Sequence, residues 1–119
     1  MKQTLAHIAL LVDDYDKGID FFTNTLDFKL TEDSVITDQN KRWVTVSPPN
    51  SQGCSLVLAR AADTEQAQFV GNQSGGRVFL FLDTDDIWRD YQNYKDRGVT
   101  FIRQPKLSCL LYTSDAADD

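Results

Sequence analysis

Few side chains in this sequence can carry chemistry. His7 is the single histidine, and it sits inside an apolar run, TLAHIALLV, at residues 4 to 12. One imidazole offers one metal-ligating nitrogen or one general base, whereas a catalytic zinc or iron site takes about three protein ligands. No Ser-His-Asp or Cys-His constellation can be built from one histidine on an interior strand. The alternative reading of His7 is a buried imidazole that hydrogen-bonds a neighbour. Arg77 can clamp a carboxylate or phosphate through its guanidinium, or simply snorkel from a strand end to solvent. Trp43, Phe79 and Phe81 can wall an aromatic ligand pocket, although such rings also serve as core or dimer interface. Cys54 and Cys109 lack metal-ligand spacing. The acidic string DTDD at residues 83 to 86 lacks the glycine and glutamate spacing of a calcium loop, and helix capping explains it better. The glycine pair at 75 and 76 is no phosphate loop, because no GxxxxGK[ST] pattern surrounds it.

The elements that must position these residues come in a repeated order. Residues 4 to 12 are short, apolar and β-branched, which predicts a buried strand, with His7, Ala9 and Leu11 on one face. Asp13 and Asp14 then give an N-cap signal, and Ile19, Phe22 and Leu26 at helical spacing predict a helix over about 15 to 24. Gly18 weakens that helix by roughly 1 kcal/mol relative to alanine, so tertiary packing must hold it. Three strand-like runs follow at 27 to 34, 41 to 47 and 54 to 60, separated by the turn-rich pieces TDQN and PPNSQG. The order is β-α-β-β-β. Trp43, Thr45 and Ser47 share one face of the third strand by alternation. Residues 62 to 76 are polar and end in two glycines, as a linker or mobile loop does. The pattern then restarts: a strand at 77 to 82, a helix capped by Asp85 and Asp86 with Ile87, Tyr91 and Tyr94 inward, Gly98 at its C-terminus, and a strand at 99 to 102. This internal repeat is the most informative feature of the chain.

Composition narrows the partners. A length of 119 residues suits one domain, and 25% charged residues is an ordinary globular share. A net charge of −6 argues against a nucleic-acid partner, which wants a basic face. No apolar run approaches the roughly 20 residues of a membrane helix, and no signal peptide precedes the first strand, so a cytoplasmic setting with reduced cysteines is expected.

With that order on the page, a family resemblance is visible. His7, Val12, Asp14 and the paired Phe21 and Phe22 resemble the opening of vicinal-oxygen-chelate proteins, the glyoxalase, bleomycin-resistance and extradiol dioxygenase superfamily. Leu26-Asp27-Phe28 stands where members usually show Leu-Gly-Phe. The stretch FLDTDDIWRDYQNYKDRGVTFI is similar to the second module of such proteins. The resemblance covers residues 4 to about 105. It implies an α+β fold of tandem βαβββ modules curved around a cleft, with the second module incomplete here. The expected layout is a domain over 1–106, with module one at 4–61, the linker at 62–76 and a partial module two at 77–105.

Residues 107–119 resemble read-through sequence of the kind found at the ends of environmental reading frames and are expected to be a non-native or disordered tail. Such a fragment leaves an open sheet edge.

The resemblance further implies a homodimer, a small-molecule ligand and a divalent metal such as Zn, Ni, Fe or Mn, acting as a Lewis acid. His7 matches the first metal-ligand position. Val57 and Arg77 stand where a carboxylate and a histidine are expected, and the final carboxylate belongs to a last strand that the sequence lacks. Trp43, Arg77, Phe79 and Phe81 are the expected substrate-binding residues. Three readings remain open: a metal-dependent lyase, isomerase or dioxygenase, a drug-sequestering protein without chemistry, and a fragment with no activity of its own.

Overall fold

The computed structural model describes residues 1–105 and divides into two compact units, residues 1–70 and a second beginning at Gly71. The first unit is a βαβββ module. Its strands are β1 (His7–Val12), β2 (Lys29–Ile36), β3 (Lys41–Ser47) and β4 (Ser55–Arg60), in the sheet order β1-β4-β3-β2. β1 runs parallel to β4, with His7 opposite Ser55 and Ala9 opposite Val57, while β2, β3 and β4 pair antiparallel. The crossover that makes β1 and β4 parallel carries the helix α1 (Tyr15–Asp20). A parallel pair needs such a connection because its two strands cannot be joined by a tight hairpin.

Period-two alternation decides which face the helix covers. Leu10, Val12, Val44, Val46, Leu56 and Leu58 all point to one side and are buried there with Phe22 and Leu26. Gly18 is the contact point of α1 with the sheet: a Cβ there would lie 3.2 Å from Leu58 Cδ1 and 3.3 Å from Val12 Cγ1. The glycine that weakens the helix locally is the residue that lets it sit close to the sheet.

Asp14 caps α1, its carboxylate accepting the Lys17 N–H at 2.9 Å. The helix continues as one wide π-helical turn, Phe21–Thr25, and closes on Leu26-Asp27-Phe28. Asp27 is left-handed at φ 62°, and the Phe28 N–H donates to the Phe22 carbonyl at 2.8 Å. The Phe22 and Phe28 rings then meet at 5.4 Å. This is a helix stop in which one residue reverses the backbone and the next returns to the core. It explains why glycine is the expected residue at position 27.

The polar stretch after β4 contains a short helix, α2 (Thr64–Ala67), capped by Asp63, where a linker or mobile loop was expected. Side-chain capping satisfies N–H groups that would otherwise need water.

In the second unit, α3 (Ile87–Asp96) forms where the spacing predicts it, with Ile87 and Tyr94 buried. Gly98 adopts φ 94° and the Val99 N–H returns to the Tyr94 carbonyl at 3.0 Å. The strands expected at 77 to 82 and 99 to 102 do not form among the described residues. A strand exists only with a ladder partner. In the first module β1 pairs with β4, and β2 with β3. Among the described residues neither segment has such a partner. The tail read at 107–119 also lies outside the described residues.

Candidate functional site

The face of the first sheet turned away from α1 carries the candidate site. It presents His7, Ala9 and Leu11 from β1, Ser55, Val57 and Ala59 from β4, and Trp43, Thr45 and Ser47 from β3, by the same alternation that buries their neighbours. His7 is exposed and Trp43 half-buried. Their rings meet edge to face with centroids 5.4 Å apart and planes at 83°. Edge-to-face is the arrangement that sets a positive ring edge on a negative ring face. His7 is therefore not the buried imidazole of the alternative reading but the exposed half of an aromatic pair.

Hydroxyl groups form the floor beside this pair. Ser47 Oγ and Ser55 Oγ lie 2.8 Å apart across β3 and β4. The Thr31 hydroxyl donates to the Thr45 carbonyl at 3.1 Å and also meets the Thr45 hydroxyl. Thr45 is only 4% exposed, so its hydroxyl needs that partner. The half-buried Ser47 and Ser55 hydroxyls retain capacity to turn toward a ligand, because each carries one donor and two acceptor positions. Sequence reasoning placed Thr45 and Ser47 on this face but missed Thr31 and Ser55. The alternation Ser55, Val57, Ala59 was the available signal for Ser55. Thr31 was hidden by a register irregularity between Leu30 and Glu32 in β2.

The donor set for a metal is thin. Val57 lies beside Ala9 and Thr45 at the centre of the face, and Ser55 stands opposite His7. Among the described residues no three of His, Cys, Asp and Glu gather within reach of one ion. One imidazole among hydroxyls, an indole and an isopropyl group, the described residues of this face, does not fit a divalent-metal site.

Arg77, Phe79 and Phe81 belong to the second unit, on the extended stretch before α3. Arg77 is exposed, and its carbonyl accepts from the Ser74 hydroxyl. Phe79 is half-buried and Phe81 is 62% exposed. The acidic string before α3 works as a helix start. Asp86 accepts the Arg89 N–H at 3.1 Å, and Asp85 and Asp90 pair with the Arg89 guanidinium at 2.7 and 3.1 Å. The Arg89 hydrogen bond holds the Asp85 carboxyl below the usual carboxylate range.

The opposite face of the first unit holds a charged cluster. Arg42 reaches Asp33 with Nε and Nη2, at 3.1 and 2.7 Å, and Asp16 with Nη1 at 2.9 Å. Hydrogen bonding from Arg42 keeps the Asp33 carboxyl below its ordinary value and raises the guanidinium's own pKa.

The first unit is thus an α+β module with an open, ring-bearing sheet face. The chain belongs to the Glyoxalase/Bleomycin resistance protein/Dioxygenase superfamily, whose family model matches residues 4–113. It is 58% identical over 106 residues to an uncharacterised protein of Shewanella frigidimarina (strain NCIMB 400), covering 89% of this chain and 78% of that one. A member of the superfamily from Sphaerobacter thermophilus DSM 20745 superposes with a TM-score of 0.70 at 30% identity, over 89% of this chain and 79% of the other. TnmS3, an antibiotic binding protein from Streptomyces sp. CB03234, superposes with a TM-score of 0.64 at 28% identity, over 84% and 75% of the two chains. Among the described residues no helix is long and apolar enough to cross a membrane.

Proposed function

We propose that this protein binds and sequesters an aromatic small molecule on the open face of its βαβββ sheet, without transforming it. The observation that carries this reading is the His7–Trp43 pair, two rings 5.4 Å apart on an accessible face floored by hydroxyl groups. The pair offers an apolar wall to a flat ligand. The Ser47 and Ser55 hydroxyls offer donors and acceptors for its polar edge. The likeness to an antibiotic binding protein supports the same class of ligand. Within the second unit, taken by itself, we propose Arg77, Phe79 and Phe81 as ligand-contacting residues, with Arg77 as the cationic group for an anionic substituent. We further propose that two copies pair as a homodimer to enclose the cleft, in the reducing cytoplasm, where Cys54 stays a free thiol.

The test is a fluorescence titration. Trp88 is 54% exposed and would add background, so the Trp88→Phe variant leaves Trp43 as reporter. A panel of aromatic antibiotics should quench Trp43 saturably, and His7→Ala should weaken binding while the ligand is recovered chemically unchanged. A metal-dependent lyase or dioxygenase is the competing reading. Stoichiometric divalent metal lost on His7→Ala, together with turnover of any ligand, would replace sequestration with catalysis. A flat response across the panel would remove the cleft itself from consideration.

A further inference from the structure

A second candidate site lies on the helix side of the first sheet, on the face opposite His7 and Trp43. An open depression of about 400 Å3 sits at the end of β3 and β4, walled by Tyr15, Val35, Thr37, Lys41, Arg42 and Arg60. That volume lies within the range of small-molecule sites, roughly 300–1,000 Å3. Three cations surround it in a chain whose net charge is −6, so the local sign opposes that of the whole molecule.

The three cations have different jobs. Arg42 is committed: its Nε, Nη1 and Nη2 all bond to Asp33 or Asp16, which balances its charge and fixes the wall. Arg60 is held in place without being neutralised. Its guanidinium lies over the Tyr15 ring at 5.3 Å, as that of Arg42 does at 5.2 Å, and its Nη2 donates to the Asn40 carbonyl at 3.5 Å. Among the described residues Arg60 has no carboxylate within ion-pair distance, whereas Lys41, at the rim, belongs by alternation to the Trp43 face. Stacking on an aromatic face orients a guanidinium while leaving its edge available for the bidentate contact that carboxylates and phosphates accept. Val35, 71% exposed, supplies an apolar shoulder beside these heads.

We propose that this depression binds a small organic anion, a carboxylate or phosphate on a short apolar stem, with its head on Arg60 and its stem over Val35 and the Tyr15 ring. The site is independent of the His7–Trp43 face, and a ligand here would not compete with one there.

The experiment titrates the 119-residue chain with phenyl phosphate at constant ionic strength, following amide and arginine side-chain resonances. Saturable shifts at Asn40, Lys41 and the Arg60 side chain are expected. Inorganic phosphate should shift the same groups more weakly, and phenol should not shift them. Arg60→Gln should weaken phenyl phosphate roughly ten-fold, the loss of one charge-assisted hydrogen bond. It should leave the Trp43 fluorescence response unchanged, which separates loss of this site from loss of the fold. Linear shifts that never saturate, or equal affinity in wild type and the variant, would overturn the proposal. Equal response to phenyl benzoate, which has the stem without a charge, would overturn it as well.

Discussion

Replacing Gly18 with alanine sets two effects of opposite sign against each other. Glycine in a helix interior is worse than alanine by about 0.5–1 kcal/mol, so a helix taken alone gains from the substitution. In the folded protein the new methyl would lie 3.2 Å from Leu58 Cδ1 and 3.3 Å from Val12 Cγ1. Neither neighbour can swing into solvent, because Leu58 is 0% and Val12 8% exposed. Crowding a packed core by one methyl costs about 1–3 kcal/mol. The packing cost therefore exceeds the helical gain, and Gly18→Ala should destabilise the module by about 1 kcal/mol net. Urea denaturation followed by circular dichroism reads this as a lower midpoint at unchanged slope. The mechanism has a second signature. In a Leu58→Ala background the nearer contact is gone, so adding Gly18→Ala should be neutral or stabilising there. The coupling between the two positions should exceed about 0.5 kcal/mol, as expected of residues in contact. A Gly18→Ala variant more stable than the parent, or additive behaviour in the double variant, would refute the claim that this glycine sets the helix–sheet distance.

Three further outcomes follow from local geometry. Asp27 is left-handed at φ 62°, so Asp27→Gly should raise the urea midpoint, by a gain of up to about 1 kcal/mol; a lower midpoint would mean that the Asp27 side chain matters more than its backbone. Hydrogen bonding from Arg42 lowers the Asp33 pKa. Its stabilising contribution is therefore complete above the ordinary aspartate value of about 3.9 and lost as pH falls through the lower folded value. Carboxyl NMR should show Asp33 titrating below that ordinary value and Arg42→Gln restoring it, and an unmoved titration in the variant would contradict the pairing. Asp86→Ala removes the cap of α3, whose carboxylate accepts the Arg89 N–H at 3.1 Å. It should cost about 1 kcal/mol, seen as reduced helical signal and faster amide exchange at Arg89, whereas Asp86→Asn should largely preserve both.

Much of the first module was legible because its signals are local. Alternation in TLAHIALLV, KRWVTVS and CSLVLAR names the strands and sorts their residues to two faces. Asp14, Asp86 and Gly98 mark helix ends through capping chemistry that acts within one turn. Leu26-Asp27-Phe28 was readable as a departure from Leu-Gly-Phe, and the left-handed backbone at Asp27 supplies the reason glycine suits that place. The second module was read as strands from the same alternation, but a strand also needs a partner, and alternation alone does not supply one. The short helix at Thr64–Ala67 was missed because a polar stretch looks like a linker until its cap at Asp63 closes.

The candidate site divides along the same line. Residue types and period-two spacing determined that His7, Trp43, Thr45 and Ser47 lie on defined faces of their strands. Which faces coincide was settled by the order β1-β4-β3-β2. That order brings His7 and Trp43, 36 positions apart in sequence, into edge-to-face contact, and sets Ser55 against Ser47. It also gathers Tyr15, Arg42 and Arg60 from a helix and two strands at one end of the opposite face. Local sequence specifies which way a side chain points because backbone geometry repeats every few residues. Its neighbours across the sheet depend on register between distant segments, and that is decided when the whole apolar face is buried at once.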